Sequence, residues 1–133
     1  PAVAAEQKVH KYSPERLVDL LKKEGYGSPT LLAEKKVVTF KSEGLTIFVL
    51  SDDDGDQSFV CGFKGRTVEL SEMNEWNRSR RFARAFVDKD GGAFLQYDVV
   101  GVLGLSDEVT KKNVALFAAS ARTFRTFLAG RSI

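Results

Sequence analysis

Apolar residues recur along this chain in two rhythms, one of three to four residues and one of two, and the switches between them mark out the elements. Ser13-Pro14-Glu15 opens the first helical stretch, with Ser as N-cap, Pro at the first helical position and Glu against the positive end of the helix dipole. Leu17, Leu20 and Leu21, with Val18 beside them, form its apolar stripe. Gly25 closes it, and Tyr26 is placed to touch Leu21, the contact that accompanies a Schellman close. Gly27-Ser28-Pro29 reads as a loop, and Leu31–Ala33 adds at most a short extended piece.

Three β-like runs follow: 37–41 and 59–63 alternate with period two, and 45–50 is almost wholly apolar, as in a central strand. Glu43-Gly44 suits a tight hairpin between the first two, and Asp52–Asp56 a longer loop between the second and third. In LSEMNEWNRSRRFARAFVD, residues 70–88, both rhythms meet. Leu70, Met73 and Trp76 line one face of a short helix behind a Ser71 cap, and from Phe82 the chain alternates as a strand to Asp88. Asp88–Gly92 turns the chain into another strand at 93–99. Val99–Leu105 is apolar but broken by Gly101 and Gly104, a bend in which backbone approaches backbone closely. Ser106 caps a last helix carrying Val109, Leu116, Phe117, Ala121, Phe124 and Leu128 down to Gly130. The predicted order is αβββαββα, an α+β fold with a mostly antiparallel five-stranded sheet and helices packed on it.

Length and composition narrow the class. A chain of 133 residues, 43% apolar and 29% charged, is a single domain with one core, here 13–130 behind a flexible segment at 1–12. Ten Phe imply a core or interface built on aromatic burial. A formal charge of +2 is too weak to call for nucleic acid, and no apolar run approaches the ~20 residues of a membrane span. The N-terminal PAVAAEQ, with Ala-Val-Ala at 2–4, resembles the end of a secretory signal peptide, which points to a periplasmic or secreted protein; a cytoplasmic one is the alternative.

The residues that could carry chemistry do not assemble a reaction. The lone His10 reads as a solvated side chain and the lone Cys61, in an apolar strand pattern, as a small buried hydrophobe. If Gly55 held the sixth position of an EF-hand loop, positions one and twelve would be Leu50 and Cys61, neither a carboxylate, so no calcium loop forms; Asp88–Gly91 fails likewise at Phe86. Gly62–Thr67 has phosphate-loop flavour but the wrong Lys spacing. The sequence thus predicts no enzyme, no metal and no cofactor.

What remains is a surface. Arg78, Arg80, Arg81 and Arg84 form the strongest charge signal. One reading has their stems covering apolar surface while they pair with Glu72, Glu75 or Asp88; the other has them recognising an acidic protein segment. Trp76 is either a core anchor or part of a partner surface. Asn77, next to the Met73/Trp76 face, is expected to be partly buried and to tie the helix end to the strand start at Arg81–Phe82, with Asn74 bonding back toward the helix start.

The run MNEWNRSRRFARAFVDKDG at 73–91, followed by FLQYDVV at 94–100, resembles the YbjN-domain family. Its pattern is carried here by Leu70, Asn74, Trp76, Asn77, Arg81, Phe82, Arg84, Ala85 and Asp98, and the likeness spans about residues 13–129. The resemblance implies bacterial sensory-transduction regulators with a fold similar to type III secretion chaperones, frequent dimerisation and no established catalysis. The expectation is therefore a non-catalytic protein-binding or regulatory domain, chaperone-like or sensory-regulatory and homodimeric. Its partner would be held at Trp76, Asn77, Arg78, Arg80, Arg81 and Arg84. The alternative is a carrier of a small apolar ligand in a pocket between helix and sheet.

Overall fold

The computed structural model describes residues 11–130 apart from 33, 35 and 66. The signal-peptide-like start and His10 lie outside the described residues. Three helices and six strands follow in the order αββββαββα: α1 (Pro14–Lys23), β1 (Gly27–Leu32), β2 (Val37–Ser42), β3 (Leu45–Ser51), β4 (Gln57–Phe63), α2 (Leu70–Ser79), β5 (Arg84–Val87), β6 (Ala93–Val99) and α3 (Asp107–Ala129). The sheet has the spatial order β1-β2-β3-β4-β6-β5, and each neighbouring pair is antiparallel.

The sheet has six strands, not the five expected. The extra one is β1, whose Gly27-Ser28-Pro29 reads from sequence as a loop and whose end falls in the short extended piece expected at Leu31–Ala33. Gly, Ser and Pro give it no apolar alternation, Ser28 sits at φ 50°, and its register with β2 slips between Gly27 and Thr30. Only an edge position tolerates such a strand, because Pro29 has no donor to offer a second neighbour. β5 is shorter than expected for the opposite reason: Phe82 has φ 71° and cannot be part of a strand.

The local signals at the helix ends are realised. Ser13 accepts from the Arg16 N–H; the Gly25 N–H donates to Lys22 and the Tyr26 N–H to Leu21, the paired bonds of a Schellman close, with Gly25 at φ 82°. Glu43 and Gly44, both at positive φ, make the two-residue hairpin. At the bend after β6 a Cβ on Gly101 would stand 2.1 Å from the Gly55 carbonyl oxygen. Only glycine fits, and the Asp56 carboxylate accepts from the Gly101 N–H.

One face of the sheet is covered. Ile47, Val49, Phe59, Cys61 and Leu95 meet Leu17 and Leu21 of α1 and Val114, Phe117, Ala121 and Phe124 of α3 in a single buried cluster. Val109, expected on the apolar face of α3, is exposed; Thr110 takes the buried position and bonds back to the Ser106 carbonyl. Among the described residues the other face of the sheet has no helix on it, and Leu32, Phe48, Leu50 and Phe86 are exposed there. Burial pushes the Cys61 thiol up to about 11, so it is an inert core group rather than a nucleophile.

The beginnings of α1 and α3 are tied through one carboxylate. Asp107 accepts from the buried Tyr12 hydroxyl at 2.5 Å and takes both arms of the Arg16 guanidinium at 2.9 Å. Burial first, and then the bond to Asp107, raise the Tyr12 phenol above its ordinary range. A raised pKa in the folded state means that this contribution to stability is complete below the unfolded phenol's value of ~10 and drains away as pH rises past it. Urea midpoints followed from about pH 8 to 11 should therefore fall less steeply for Tyr12→Phe than for the wild type. Identical slopes would show that the phenol does not sense folding.

Candidate functional site

The site is the corner where α2 hands over to β5. Its helix begins two residues earlier than expected: Glu69 rather than Ser71 is the N-cap, and the Glu72 carboxylate accepts from the Glu69 N–H at 3.0 Å in a capping box. That start leaves Leu70, expected on the apolar face, 76% exposed, while Met73 and Trp76 are buried. The Trp76 indole stands edge-on to Phe124 at 4.9 Å and to Phe127 at 5.5 Å, and its Nε1–H donates to the Ala83 carbonyl at 3.1 Å. Losing that ring would cost about 3–5 kcal/mol, as for other buried aromatics.

Asn77 does what a neighbouring strand would do. Its Nδ2 donates to the Ala85 carbonyl at 3.0 Å and its Oδ1 accepts from the Ala85 N–H at 2.8 Å. A side-chain amide has the donor and acceptor of a peptide unit, so Asn77 pairs both outward-facing groups of β5, the edge strand, at Ala85. The tie reaches further along the chain than the expected Arg81–Phe82 contact, and residue 77 as a whole is exposed rather than partly buried. Asn74 is exposed and its side-chain amide makes no hydrogen bond among the described residues, because the helix start it was expected to serve is capped by Glu72 instead.

Between these two anchors the chain turns within three residues. The Ala83 N–H donates to the Arg81 carbonyl at 3.0 Å across Phe82, whose φ of 71° belongs to a γ-turn. A bulky side chain in the left-handed region is strained, and such strain persists where surrounding contacts over-determine it. Here Trp76 fixes Ala83 and Asn77 fixes Ala85. The turn pushes the Phe82 ring outward, 58% exposed, with the Arg81 guanidinium 4.8 Å from the centre of one face and the Tyr97 ring edge-on at 6.4 Å. The Arg80 guanidinium lies 5.2 Å from the Trp76 ring centre.

The six residues expected at a partner surface are therefore divided. Trp76 is 2% exposed and belongs to the core, and the Asn77 amide is committed to Ala85, so neither is available to a partner. Arg84 points to the open face of the sheet, where it donates to the Gln96 side-chain Oε1 at 2.9 Å and stands 3.9 Å from Asp98. Arg78, Arg80 and Arg81 are exposed, and none of them pairs with a carboxylate among the described residues, against the expected bridges to Glu72, Glu75 or Asp88. Phe82 was missed as a surface group, since nothing in Arg-Phe-Ala announces a left-handed residue. Beside it a hollow of about 370 Å³ opens between Arg80, Arg81 and Phe82 and the small residues Ala119, Ser120 and Thr123 of α3. Among the described residues no three carboxylate, His or Cys side chains gather as metal ligands, and no helix is long and apolar enough to cross a membrane.

The two Asn residues give a direct test of the corner. Asn77→Ala leaves the Ala85 N–H and C=O unpaired, which costs ~1–3 kcal/mol, whereas Asn74→Ala removes an exposed amide and falls within ~0.5 kcal/mol of wild type. Denaturant titration of both variants measures the order; equal losses would overturn it.

Comparison with known proteins agrees with the architecture. Residues 13–129 match the model of the YbjN family, described as "Putative bacterial sensory transduction regulator". The crystal structure of YbjN, "a putative transcription regulator from E. coli", superposes with a TM-score of 0.63 at 12% identity, covering 89% of this chain and 97% of that one. At that identity the likeness is one of fold. No curated protein sequence matches the chain. With the family model spanning nearly all of the folded residues, this chain belongs to the YbjN family.

Proposed function

We propose that this chain is a non-catalytic regulatory domain that docks an acidic, apolar-tipped segment of a protein partner at the α2–β5 corner. The observation that carries the reading is the combination of Phe82, exposed and held at φ 71°, with Arg78, Arg80 and Arg81, which no carboxylate neutralises among the described residues. An aromatic flanked by arginines above a hollow is the arrangement in which binding energy concentrates at interfaces. The arginines supply the attraction and orientation for a negatively charged segment. The family's description as regulatory points the same way, and so does the inert, buried Cys61. A homodimer belongs to the same proposal.

A fluorescent peptide of alternating Glu and Leu serves as probe. Reversing Arg80 and Arg81 to Glu should weaken its binding by about tenfold or more and flatten its salt dependence. Phe82→Gly, which relieves the backbone strain, should also lose binding while the melting temperature changes little. Light scattering on the same samples should give a mass near twice 14.7 kDa. Unchanged binding in both variants would dismiss the corner as the site.

A further inference from the structure

The sheet forks. Between β3 and β4 the paired register runs from Ser51↔Gln57 to Phe48↔Val60 and stops, although each strand continues for three more residues. β3 stays paired to β2 as far as Leu45, and β4 to β6 as far as Phe63. Ile47 and Cys61, next in register, and Thr46 and Gly62 beyond them are therefore not partners. A cleft of about 900 Å³ occupies the fork, at the far end of α3. Leu45, Phe48, Val60, Phe63, Phe94 and Leu128 line it. Gly62 keeps it open: a Cβ there would stand 2.9 Å from the Phe94 ring, which lies across the missing side chain.

The charge at the rim has one sign. Lys64 and Arg125 both line the cleft, and no acidic side chain does so among the described residues. The Glu43 carboxylate is taken by Arg122 at 2.7 Å, and Arg125 donates to the Glu43 backbone carbonyl at 2.8 Å and pairs with no carboxylate among the described residues. An apolar cleft within the size range of small-molecule sites, with two cations at its edge, is complementary to an anion carrying an apolar body. We propose that the fork binds a single-chain amphipathic carboxylate of the fatty-acid type, its alkyl chain against Phe48, Val60 and Phe94 and its head at Arg125 and Lys64. This site is separate from the α2–β5 corner and does not depend on the reading of it.

Dodecanoate, below its micellar range, is the probe, and dodecyltrimethylammonium, with the same chain and the opposite charge, is the control. Calorimetry should show saturable one-to-one binding of dodecanoate at concentrations up to about 1 mM, with the cationic amphiphile at least ~10-fold weaker. Arg125→Glu should weaken dodecanoate by at least ~10-fold and close the gap between the two amphiphiles without lowering the melting temperature, because Arg125 is exposed. Amide resonances of Thr46, Gly62 and Phe94 should shift on titration and those of Arg80–Phe82 should not. No binding to the wild type in that range, or equal binding of both amphiphiles, would overturn the assignment. So would shifts confined to residues outside the fork.

Discussion

The structure depends on one amide. Asn77 gives the edge strand β5 the two hydrogen bonds at Ala85 that a further strand would have given, and in doing so fixes where α2 ends and where the sheet begins. Trp76, one position earlier, faces the other way into the core and holds Ala83 through its indole N–H. Two consecutive helix residues thus grip the chain at Ala83 and Ala85, and the turn between the helix and those grips has only Arg80, Arg81 and Phe82 in which to reverse. That constraint accounts for the left-handed Phe82: no extended path covers so short a connection. The same contacts that stabilise the corner present an aromatic ring and three arginines outward.

The covered and open faces of the sheet share the remaining roles. Helices α1 and α3 bury one face around Phe59, Phe117 and Phe124, and the Asp107 carboxylate joins the beginnings of those helices through Tyr12 and Arg16. The open face has no such cover, yet it is not uniformly apolar. Arg84, Gln96, Ser58 and Asp98 form a hydrogen-bonded row across three strands, β5, β6 and β4, and the apolar residues Phe48, Val60, Phe94 and Phe86 lie beside it. A charged row on the exposed face discourages indiscriminate sheet stacking and separates the apolar residues beside the fork, where β3 and β4 part, from Leu32 and Leu50 at the other end.

Much of the fold was legible because its signals are local. The Ser13 cap, the Gly25 close, the Glu43-Gly44 hairpin and the Ser106 cap each act within a few residues, and periodicity placed α1, α3 and β2 to β4 nearly to their ends. β1 was not legible, because an edge strand of Gly, Ser and Pro is defined by its partner β2 rather than by its own pattern. The corner was legible in part. Spacing set Met73 and Trp76 on one apolar face and marked Asn77 as a tie, while the choice between core and partner surface for Trp76 needed the packing of α3. The choice of Ala85 as its partner depends on a turn that no local pattern announces, and the exposure of Leu70 on a helix start that the Glu69–Glu72 box moved by two positions. The left-handed Phe82, the free arginines and the forked sheet depend on contacts distant in sequence, and no local pattern encodes them.

The central claim is that a side-chain amide completes the edge of the sheet and holds the corner in place. Amide hydrogen exchange at Ala85 tests it most directly. This N–H faces away from β6, on an edge strand, and without Asn77 it would meet solvent. The account predicts that it exchanges as slowly as the interior amides of β6 and only through global unfolding, and that Asn77→Ala accelerates it by orders of magnitude more than it accelerates the β6 amides. Rapid exchange at Ala85 in the wild-type protein, at the rate of a free edge amide, would contradict it.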